Sequence, residues 1–394
     1  MTTARRARTG HGHRRRTRPA WWAWSLPFTM VILAAGVPFL LWYAADAIVT
    51  STDGTVTQRI TDPAAPGYEV AVVASPSYLV LGLDPDGELD HVALMSVAAN
   101  DEGGTVLLLP AETLVEPTVR LLDVHRADGD DGVRRSVSDL LQIGLDAMSV
   151  LDEESWRTLL EPVGPVPVDI TEDLVRVDPD GSGATEVLWR AGSISVAPEE
   201  VSTFLGWVNR GEDRFNRLRR QKEFWTAWLA AVAVSDDPGV VPGEIDEGIG
   251  RFVRGAARDP VVITPSATAV ELRRGPAFEL DVEALRDTAV AMIPFPLPPE
   301  DSERPRVRLL DGAGGLDVAA NHGSALVRAG AQIVIIGNAT QFGANSTVVV
   351  YHDGRFADDA AALGDAVGAN DVYLEDLEEP VVDITVIIGE DQRA

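Results

Sequence analysis

A dense group of arginines in the middle of the chain is the part of the sequence best suited to chemistry. Arg210, Arg214, Arg217 and Gln221 follow one another at intervals of four, three and four residues, and Arg220 lies among them. Such intervals place side chains on one side of a helix. The planar guanidinium group of arginine matches phosphate oxygens in a bidentate manner. The pattern therefore predicts an anion-binding surface that contains Arg210, Arg217, Arg220 and Gln221.

A second interpretation of the same arginines requires no ligand. Acidic residues are plentiful beside them, including Glu212, Asp213 and Glu223. Oppositely charged side chains three or four residues apart stabilise the solvated face of a helix. The sequence leaves both interpretations open. They are distinguished by whether Arg217 and Arg220 face an apolar cavity or contact acidic side chains.

The helix that carries these arginines is predicted to run from about Arg214 to Val234. Its apolar residues form one stripe with the helical period, which comprises Phe215, Leu218, Trp225, Leu229 and Val232. Upstream, valine- and leucine-rich stretches alternate with helical patterns, one from Val133 to Leu145 and one that begins at Asp152. Strands and helices in alternation predict a layered α/β domain over residues 68–292.

An apolar stretch near the N-terminus has the length of a membrane span. Residues 21–45 contain the apolar run Leu26–Leu41, with tryptophan and tyrosine residues at its two ends. A helix of about 20 apolar residues crosses the hydrocarbon layer, and aromatic residues lie at its interfaces. The sequence predicts a single transmembrane helix over 21–45. A cleaved signal peptide and a buried core helix are the alternatives.

The charges on either side of this stretch predict its orientation. Residues 1–20 contain seven arginines and no acidic residue, whereas all 61 acidic residues lie beyond residue 45. With the other 26 of the 33 basic residues, that larger part has a formal charge of −35. Basic segments stay in the cytoplasm, so residues 1–20 are predicted to be a cytoplasmic tail of a single-pass membrane protein. A nucleic-acid-binding protein would carry the opposite charge on its main domain.

The predicted extracytoplasmic part is long enough for two packed domains. It comprises about 350 residues. The chain contains no cysteine, which excludes disulfides, zinc sites built from thiolates and thiol nucleophiles. Residues 46–67 are polar and are predicted to form a stalk. Residues 293–304 contain four prolines and are predicted to be an extended linker.

The segment after this linker, residues 305–394, has a compact pattern of its own. Strand-like and helix-like stretches follow in the order βαββαβ, which predicts a small α+β domain with both helices on one face of a sheet. Asp311 precedes a glycine-rich turn before the first helix. A dinucleotide site is rejected there because Asp317 occupies the position of the third glycine. The turn is interpreted as a tight strand-to-helix connection with Asp317 at the helix start.

Several short motifs resemble those of the LytR-CpsA-Psr family. The stretch Asp213–Lys222 resembles its arginine-rich R-x-x-R-Q-Q motif, which an apolar helix follows. Other stretches resemble, in chain order, its first core strand, its aspartate-bearing strand, its strand ending in P-R-D-T and the segment before its lipid-binding half: Leu79–Asp84, Asp90–Ser96, Leu107–Thr113 and Leu159–Ile170. The similarity extends over residues 68–292.

The resemblance implies a membrane-anchored α/β enzyme of the cell envelope. Members of the family move a glycopolymer from a polyprenyl pyrophosphate carrier to peptidoglycan, usually with Mg²⁺, and hold the prenyl chain in an apolar tunnel. By residue matching, Asp90 and Glu112 are the candidate catalytic residues. Arg217 and Arg220, together with Arg210 and Gln221, are the candidate pyrophosphate-binding residues.

The sequence also departs from the family pattern at three positions. Glu88 stands where an arginine precedes the aspartate, Ala111 stands where the P-R-D-T arginine is expected, and Glu112 replaces its aspartate. The loss of one preorganised donor typically raises a reaction barrier by ~2.7–4 kcal/mol. Two such losses predict a degenerate member of the family with no metal site and no cofactor.

The C-terminal segment resembles the LytR C-terminal domain. Val307–Gly314 is similar to that domain's V-x-V-L-N-G-T-G opening, with Asp311 at the position of the asparagine. Val381–Asp391 is similar to its closing V-D-[IV]-T-V-[IV]-[IL]-G-x-D motif. This resemblance implies a fold, and it implies no catalytic residue.

Two functions follow as hypotheses. The first is a non-catalytic binding or scaffolding protein that acts in cell-wall glycopolymer assembly at the cytoplasmic membrane. Its expected partners are a polyprenyl-linked glycopolymer, peptidoglycan or envelope assembly proteins, and no nucleic acid. The alternative is an active phosphotransferase that moves a glycopolymer from polyprenyl pyrophosphate to peptidoglycan, and only this alternative requires Mg²⁺.

Overall fold

The computed structural model describes residues 60–99, 102–177, 185–212, 214–235, 237–300, 302–377 and 380–393. The predicted cytoplasmic tail and transmembrane helix, and most of the predicted stalk, lie outside these ranges. Within the described ranges, no helix is both long and apolar enough to cross a membrane. The membrane anchor over residues 21–45 therefore stays a prediction.

The first domain is built on one mixed sheet. In chain order, its strands and helices, together with the strand that precedes them, are β1 (Glu69–Ala71), β2 (Ser77–Leu83), β3 (Leu89–Val97), β4 (Gly104–Pro110), β5 (Leu114–Glu116), β6 (Val119–Arg120), α1 (Leu121–Leu141), β7 (Ala147–Leu151), α2 (Glu153–Leu160), β8 (Val166–Ile170), β9 (Leu174–Val177), β10 (Thr185–Trp189), β11 (Gly192–Val196), α3 (Val201–Gly206), α4 (Arg214–Ala233), α5 (Gly248–Arg258), β12 (Pro260–Ile263), β13 (Ala267–Leu272), β14 (Gly275–Leu280) and α6 (Val282–Met292). The sheet has the strand order β12–β4–β3–β2–β7. Its three central strands are antiparallel, and β7 and β12 are added in parallel at the two edges.

Helices cover both faces of this sheet. Because side chains alternate along a strand, Val80 and Met95 face one layer and Leu79 and Leu94 face the other. The first layer contains α2, α3, α4 and α5, and the second contains α1 and α6. Strand β3 is buried along its whole length although it contains Asp90 and His91, which interrupt the continuous apolar run expected of a strand that is covered on both faces. The predicted α/β layering is confirmed.

Three helices of this domain test the sequence-based boundaries. Helix α4 (Arg214–Ala233) matches the predicted range almost residue for residue. The backbone N–H of Ser155 donates to the Asp152 carboxylate at 2.8 Å, so the predicted start of α2 is confirmed. Helix α1 begins at Leu121, well before the predicted Val133. Gly129 has φ +67° within it, and this break in helical geometry interrupts the periodicity that the sequence shows.

The second domain follows the predicted pattern and adds one strand. Its elements are β15 (Arg306–Asp311), α7 (Val318–Arg328), β16 (Gln332–Asn338), β17 (Val348–Tyr351), α8 (Ala357–Val367), β18 (Asp371–Leu374) and β19 (Ile384–Ile388). The order is thus βαββαββ; β18 was not predicted because it is a short stretch between acidic residues. Helices α7 and α8 both pack on one face of the sheet.

Strand β1 belongs to the sheet of the second domain. The sheet has the order β1–β16–β15–β19–β17–β18, and Val70 lies opposite Ile336 in an antiparallel pair. Gly337 permits this close approach, because a Cβ atom there would lie 2.1 Å from the carbonyl oxygen of Tyr68. The sequence placed this strand with its neighbours in the chain, since pairing across more than 250 residues leaves no local signal.

The proline-rich connection between the domains contacts the first domain. Its described residues contain no helix or strand. The backbone N–H of Ser75 donates to the Phe295 carbonyl at 2.8 Å, and that of Gly144 donates to the Leu297 carbonyl at 2.7 Å. The predicted spacer therefore lies along the protein surface and is hydrogen-bonded to it.

The glycine-rich turn after β15 is organised by one carboxylate. Asp311 accepts backbone N–H groups from Ala313 at 3.0 Å, Gly314 at 2.8 Å and Leu316 at 2.9 Å. Asp317 accepts the N–H of Ala320 at 3.0 Å and caps α7. The interpretation of this segment as a tight strand-to-helix turn is confirmed.

Candidate functional site

The two candidate catalytic carboxylates lie near the same end of two neighbouring central strands. His91 of β3 is paired with Pro110 at the end of β4, so Asp90, which precedes His91, and Glu112, which follows β4, lie at the same end of the sheet. Both side chains are buried. Helix α4 crosses this end of the sheet and carries the predicted arginines. Of the residues predicted for the site, Glu112 and Arg217 are in direct contact.

Glu112 is enclosed by positive charge. One of its carboxylate oxygens accepts a hydrogen bond from Nη2 of Arg217, and the other lies 3.6 Å from Nε of Arg214. Arg217 is only 7% exposed. Burial lowers the pKa of Arg214, and the neighbouring charge of Arg217 lowers it further, while Glu112 opposes both effects. The carboxylate thus lies between two guanidinium groups that would otherwise repel each other, and its single negative charge compensates one of their two positive charges.

Arg220 occupies a separate buried position. Its Nη1 donates to Oε1 of Glu212 at 3.0 Å, its Nη2 donates to the carbonyl of Trp207, and its Nε lies 3.4 Å from the carbonyl oxygen of Phe204. The residue is 5% exposed. Burial lowers the pKa of its guanidinium, and the charge of Glu212 opposes that shift.

Arg220 and Gln221 together satisfy the C-terminal end of α3. The last carbonyls of a helix have no partner within the helix and attract positive charge. Gln221 Nε2 donates to the carbonyl of Leu205 at 3.0 Å and lies 3.5 Å from the carbonyl oxygen of Asp90. These contacts connect α3, α4 and the start of β3, which is an architectural role.

Arg217 and Arg220 thus contact acidic side chains, as the interpretation without a ligand predicted, but they are buried and do not form a solvated helix face. Arg217, Arg220 and Gln221 are buried and contact carboxylates or backbone carbonyls. Arg210 is exposed in the turn before α4, away from these contacts. The sequence pattern missed the difference, because helical spacing shows which residues share a face and does not show what covers that face.

Asp90 is paired with the neighbouring His91. Oδ1 of Asp90 contacts Nδ1 of the imidazole, and both side chains are buried. Gly82 provides the space for the imidazole, since a Cβ atom there would lie 2.1 Å from Cε1 of His91. Oδ2 of Asp90 and Nε2 of His91 have no hydrogen-bond partner among the described residues. Sequence reasoning missed His91, for which only its position next to Asp90 was a signal.

Aromatic rings fill the space behind this dyad. Trp156, Trp225 and Trp228 are fully buried, and their ring centroids lie 5.2 to 5.8 Å apart in tilted, edge-to-face arrangements. The imidazole of His91 lies 6.1 Å from the ring of Trp156. Aromatic pairs in such arrangements stabilise a core beyond the area that they bury. The interior between the sheet and α4 is consequently a packed core.

The cavity beside Arg220 is small, and its lining contains several charged residues. It has a volume of about 250 Å³, and its lining includes Glu172, Asn216, Arg219 and Glu223. A larger apolar groove of about 890 Å³ lies near Val97, at the opposite end of β3. The apolar tunnel that the family resemblance implies does not open beside Arg217 or Arg220 in the described part of the chain.

The two carboxylates do not fit Mg²⁺ as they are arranged. Magnesium binds through carboxylate oxygens and retained waters. Both oxygens of Glu112 face guanidinium groups, and one oxygen of Asp90 contacts His91. Among the residues that the structure describes, no three His, Asp or Glu side chains are grouped so that they could hold a metal ion.

Glu88 and Ala111, which stand where the family motifs have arginines, have ordinary structural roles. Glu88 forms an exposed ion pair with Arg126 at 2.6 Å. Ala111 is fully buried in the core beneath α1. Arg120 is buried nearby, but it donates to Asp123 at 2.9 and 3.0 Å and to the Pro276 carbonyl at 3.1 Å. This arginine is therefore occupied as well.

Comparison with protein families identifies the second domain. Residues 304–391 match the family model described as LytR cell envelope-related transcriptional attenuator. The segment predicted to resemble the LytR C-terminal domain is thus a domain of that family. Among curated proteins, none matches this chain in sequence.

Several solved structures are similar to part of the chain. TagV of B. subtilis is 17% identical, with 56% of this chain and 97% of that chain covered and a TM-score of 0.45. TagT bound to LIIa-WTA is 19% identical over 60% of this chain and 93% of its own, with a TM-score of 0.43. The LytR-CPS2A-psr family protein YwtF (TagT), with bound octaprenyl pyrophosphate lipid, is 18% identical over 60% and 92%, with a TM-score of 0.42.

Proposed function

We propose that this chain is a membrane-anchored, extracytoplasmic protein that acts as a non-catalytic scaffold in cell-wall glycopolymer assembly. The observation that carries the proposal is the pairing of Arg217 with Glu112 and of Arg220 with Glu212. The arginines that resemble a pyrophosphate site neutralise carboxylates of the same chain. A ligand would have to displace these carboxylates before it could contact the guanidinium groups.

The energetic cost of such a displacement supports a structural role. Removing one partner of a buried ion pair typically costs ~3–5 kcal/mol, because the other charge stays buried without compensation. Glu112 and Glu212 are both held in buried surroundings. An incoming pyrophosphate would have to offset this cost twice. The pairs are therefore better suited to a constant architecture than to ligand exchange.

The packed aromatic interior argues against a prenyl-binding site next to α4. Trp156, Trp225 and Trp228 occupy the space between the sheet and this helix. Opening a tunnel there would separate ring contacts that contribute about 0.5–1.5 kcal/mol per pair. The absence of the family's arginines at positions 88 and 111 points the same way, because Glu88 is paired with Arg126 and Ala111 lies in the core.

The envelope assignment rests on the second domain and on the charge distribution. Residues 304–391 belong to a family named for the cell envelope. The seven arginines of residues 1–20 and the strongly acidic remainder support an anchor with its N-terminus in the cytoplasm. The cytoplasmic membrane and an envelope polymer or assembly protein are the partners that fit this arrangement.

An assay of the full-length chain in detergent separates the scaffold from the alternative phosphotransferase. The chain is incubated with a polyprenyl-pyrophosphate glycan, peptidoglycan and Mg²⁺, next to an active member of the LytR-CpsA-Psr family. We expect no glycan transfer and no release of the pyrophosphate-linked carrier. Metal-dependent transfer by this chain would overturn the non-catalytic assignment.

The topology is tested separately in intact cells. A reporter that is active only outside the cytoplasm is fused to the C-terminus of the full chain, and a second reporter that is active only inside is fused in parallel. We expect only the outside-active reporter to respond. Removing the arginines of residues 1–20 is expected to weaken this orientation, because they hold the tail in the cytoplasm.

A further inference from the structure

The sheet of the C-terminal domain ends in a strand with an open edge. Strand β18 pairs with β17 on one side, and no strand lies on its other side among the described residues. The backbone N–H of Glu375 donates to the Tyr351 carbonyl at 2.9 Å, toward β17. Because backbone groups alternate in direction along a strand, those of Tyr373 also face β17, and those of Val372 and Leu374 face outward. The edge therefore presents free donors and acceptors.

The exposed edge is apolar in the middle and acidic at its ends. Val372, Tyr373 and Leu374 are 39%, 48% and 47% exposed. Residues 371–377 contain three acidic residues and no lysine or arginine. Proteins usually protect such edges with lysine, proline or a bulge. An unprotected apolar edge of this kind is a template for another strand.

The two faces next to this edge are suited to the side chains of an added strand. On one face, a cavity of about 450 Å³ is lined in part by Tyr373, Leu377 and Val381. On the other face, Val372 packs over Gly364 of α8, where a Cβ atom would lie 2.8 Å from Cγ2 of Val372. Alternate side chains of an added strand would reach the cavity and the helical layer in turn.

We propose that the β18 edge binds an extended, basic segment of a partner protein, which adds a seventh strand to the C-terminal sheet. Main-chain hydrogen bonds supply affinity in this mode of recognition, and side-chain pockets supply specificity. The acidic residues Asp371, Glu375 and Asp376 select for lysine or arginine at the ends of the segment. The proposal concerns a different domain from the arginine site and does not depend on it.

A second copy of this chain fits the edge less well. In an antiparallel pair centred on Tyr373, Asp371 of each copy would lie opposite Glu375 of the other. Like charges directly opposite each other destabilise a strand pair. A basic partner converts the same acidic side chains into favourable contacts.

The test measures binding of defined peptides to the full-length chain in detergent by fluorescence anisotropy. The probe is a labelled peptide of alternating valine and threonine with arginines at both ends. One control carries glutamate in place of arginine, and another carries N-methyl groups that block pairing at the edge. We expect the basic peptide to bind at least about tenfold more tightly than either control.

Two variants at one position connect this binding to the edge. Leu374→Pro removes an outward N–H and no bond to β17, which is where proline is tolerated in a sheet. It is expected to weaken binding at least about tenfold, whereas Leu374→Val keeps the N–H and changes affinity less than about threefold. Circular dichroism checks that both variants are folded.

A charge-reversed variant keeps the test decisive if Leu374→Pro fails to fold. Glu375→Lys combined with Asp376→Lys is expected to favour the glutamate peptide over the arginine peptide. The proposal is overturned if the basic peptide does not bind, or if folded Leu374→Pro binds it as well as Leu374→Val does. A dimer in sedimentation experiments that Leu374→Pro dissociates would also overturn it, because a second copy would then occupy the edge.

Discussion

Arg217 and Glu112 form a buried ion pair that joins helix α4 to the end of strand β4. Breaking such a pair by removing one member typically costs ~3–5 kcal/mol. We therefore expect Glu112→Ala to lower the free energy of unfolding by about that amount, measured by urea denaturation. The matched control is Glu88→Ala, which removes an exposed ion pair with Arg126 and is expected to cost at most ~1 kcal/mol. Equal effects of the two substitutions would contradict the structural role of the pair.

Arg220 and Arg219 are adjacent in sequence but differ in burial. Arg220 contacts Glu212 and the carbonyls of Phe204 and Trp207, whereas Arg219 is exposed. Arg220→Ala leaves a buried carboxylate and helix-end carbonyls without their partner, so it is expected to cost ~3–5 kcal/mol. Arg219→Ala is expected to change stability by less than ~0.5 kcal/mol. Thermal unfolding of the two variants checks this, and a stable Arg220→Ala protein would exclude the proposed capping of α3.

Trp228 belongs to the aromatic core next to α4. Truncation of a buried tryptophan removes its transfer free energy and leaves a cavity, so Trp228→Ala is expected to cost ~3–5 kcal/mol in denaturant unfolding. Trp189 is partly exposed and packs edge-to-face on Phe204. Trp189→Ala is expected to cost clearly less. If this region contained a prenyl-binding tunnel, Trp228 would already line an open cavity. Trp228→Ala would then cost no more stability than Trp189→Ala.

The Arg120–Asp123 pair predicts a dependence of stability on pH. Hydrogen bonds from Arg120 hold the pKa of Asp123 below its usual value of 3.8. A carboxylate with a depressed folded-state pKa stabilises the protein above its unfolded pKa, and the contribution is lost as pH falls through the folded value. Asp123→Asn is thus expected to cost ~1.5–3 kcal/mol near neutral pH.

Unfolding measured across the acid range checks this expectation. The difference between the parent protein and Asp123→Asn should shrink as pH falls below 3.8, where Asp123 itself becomes protonated. Asp131→Asn is the control, because that side chain is 80% exposed. A difference for Asp123→Asn that is independent of pH would rule out ionisation as its source.

The pairing of β1 with β16 predicts unequal effects of proline at two adjacent valines. The backbone N–H of Val72 donates to the Val334 carbonyl at 2.9 Å, whereas Val73 is 86% exposed and lies outside the paired residues. Val72→Pro removes a half-buried hydrogen bond to the C-terminal sheet and is expected to cost ~1–3 kcal/mol. Val73→Pro is expected to cost less than ~1 kcal/mol. Hydrogen exchange of β16 amides reports the effect locally, and equal exchange in both variants would argue against this strand pair.

Much of the local structure is predictable from the sequence, since it depends on residues near one another in the chain. The apolar period of α4, the Asp152 cap of α2 and the Asp311 turn are of this kind. Short elements without strong periodicity escape prediction. Strand β18 is an example, because four residues between acidic neighbours contain too few positions to show a pattern.

The candidate site, too, is only partly predictable from the sequence. The sequence shows that arginines and carboxylates are present and that the arginines share a helix, which is enough to predict where charge is concentrated. It does not show that Arg217 contacts Glu112, which lies more than 100 residues away in the chain. It also does not show that α3 ends against Arg220 and Gln221.

Composition, charge and short-range periodicity are thus sufficient to predict the α/β class and the position of the basic helix, and the resemblance of two short motifs to a known domain identifies the C-terminal domain. The tertiary structure alone reveals which partners those charges have, that tryptophans occupy the interior, and that β1 joins a distant sheet. The physical reason is that burial and pairing depend on contacts between residues far apart in the chain. The same arginine has a different function when a carboxylate of its own protein already occupies it.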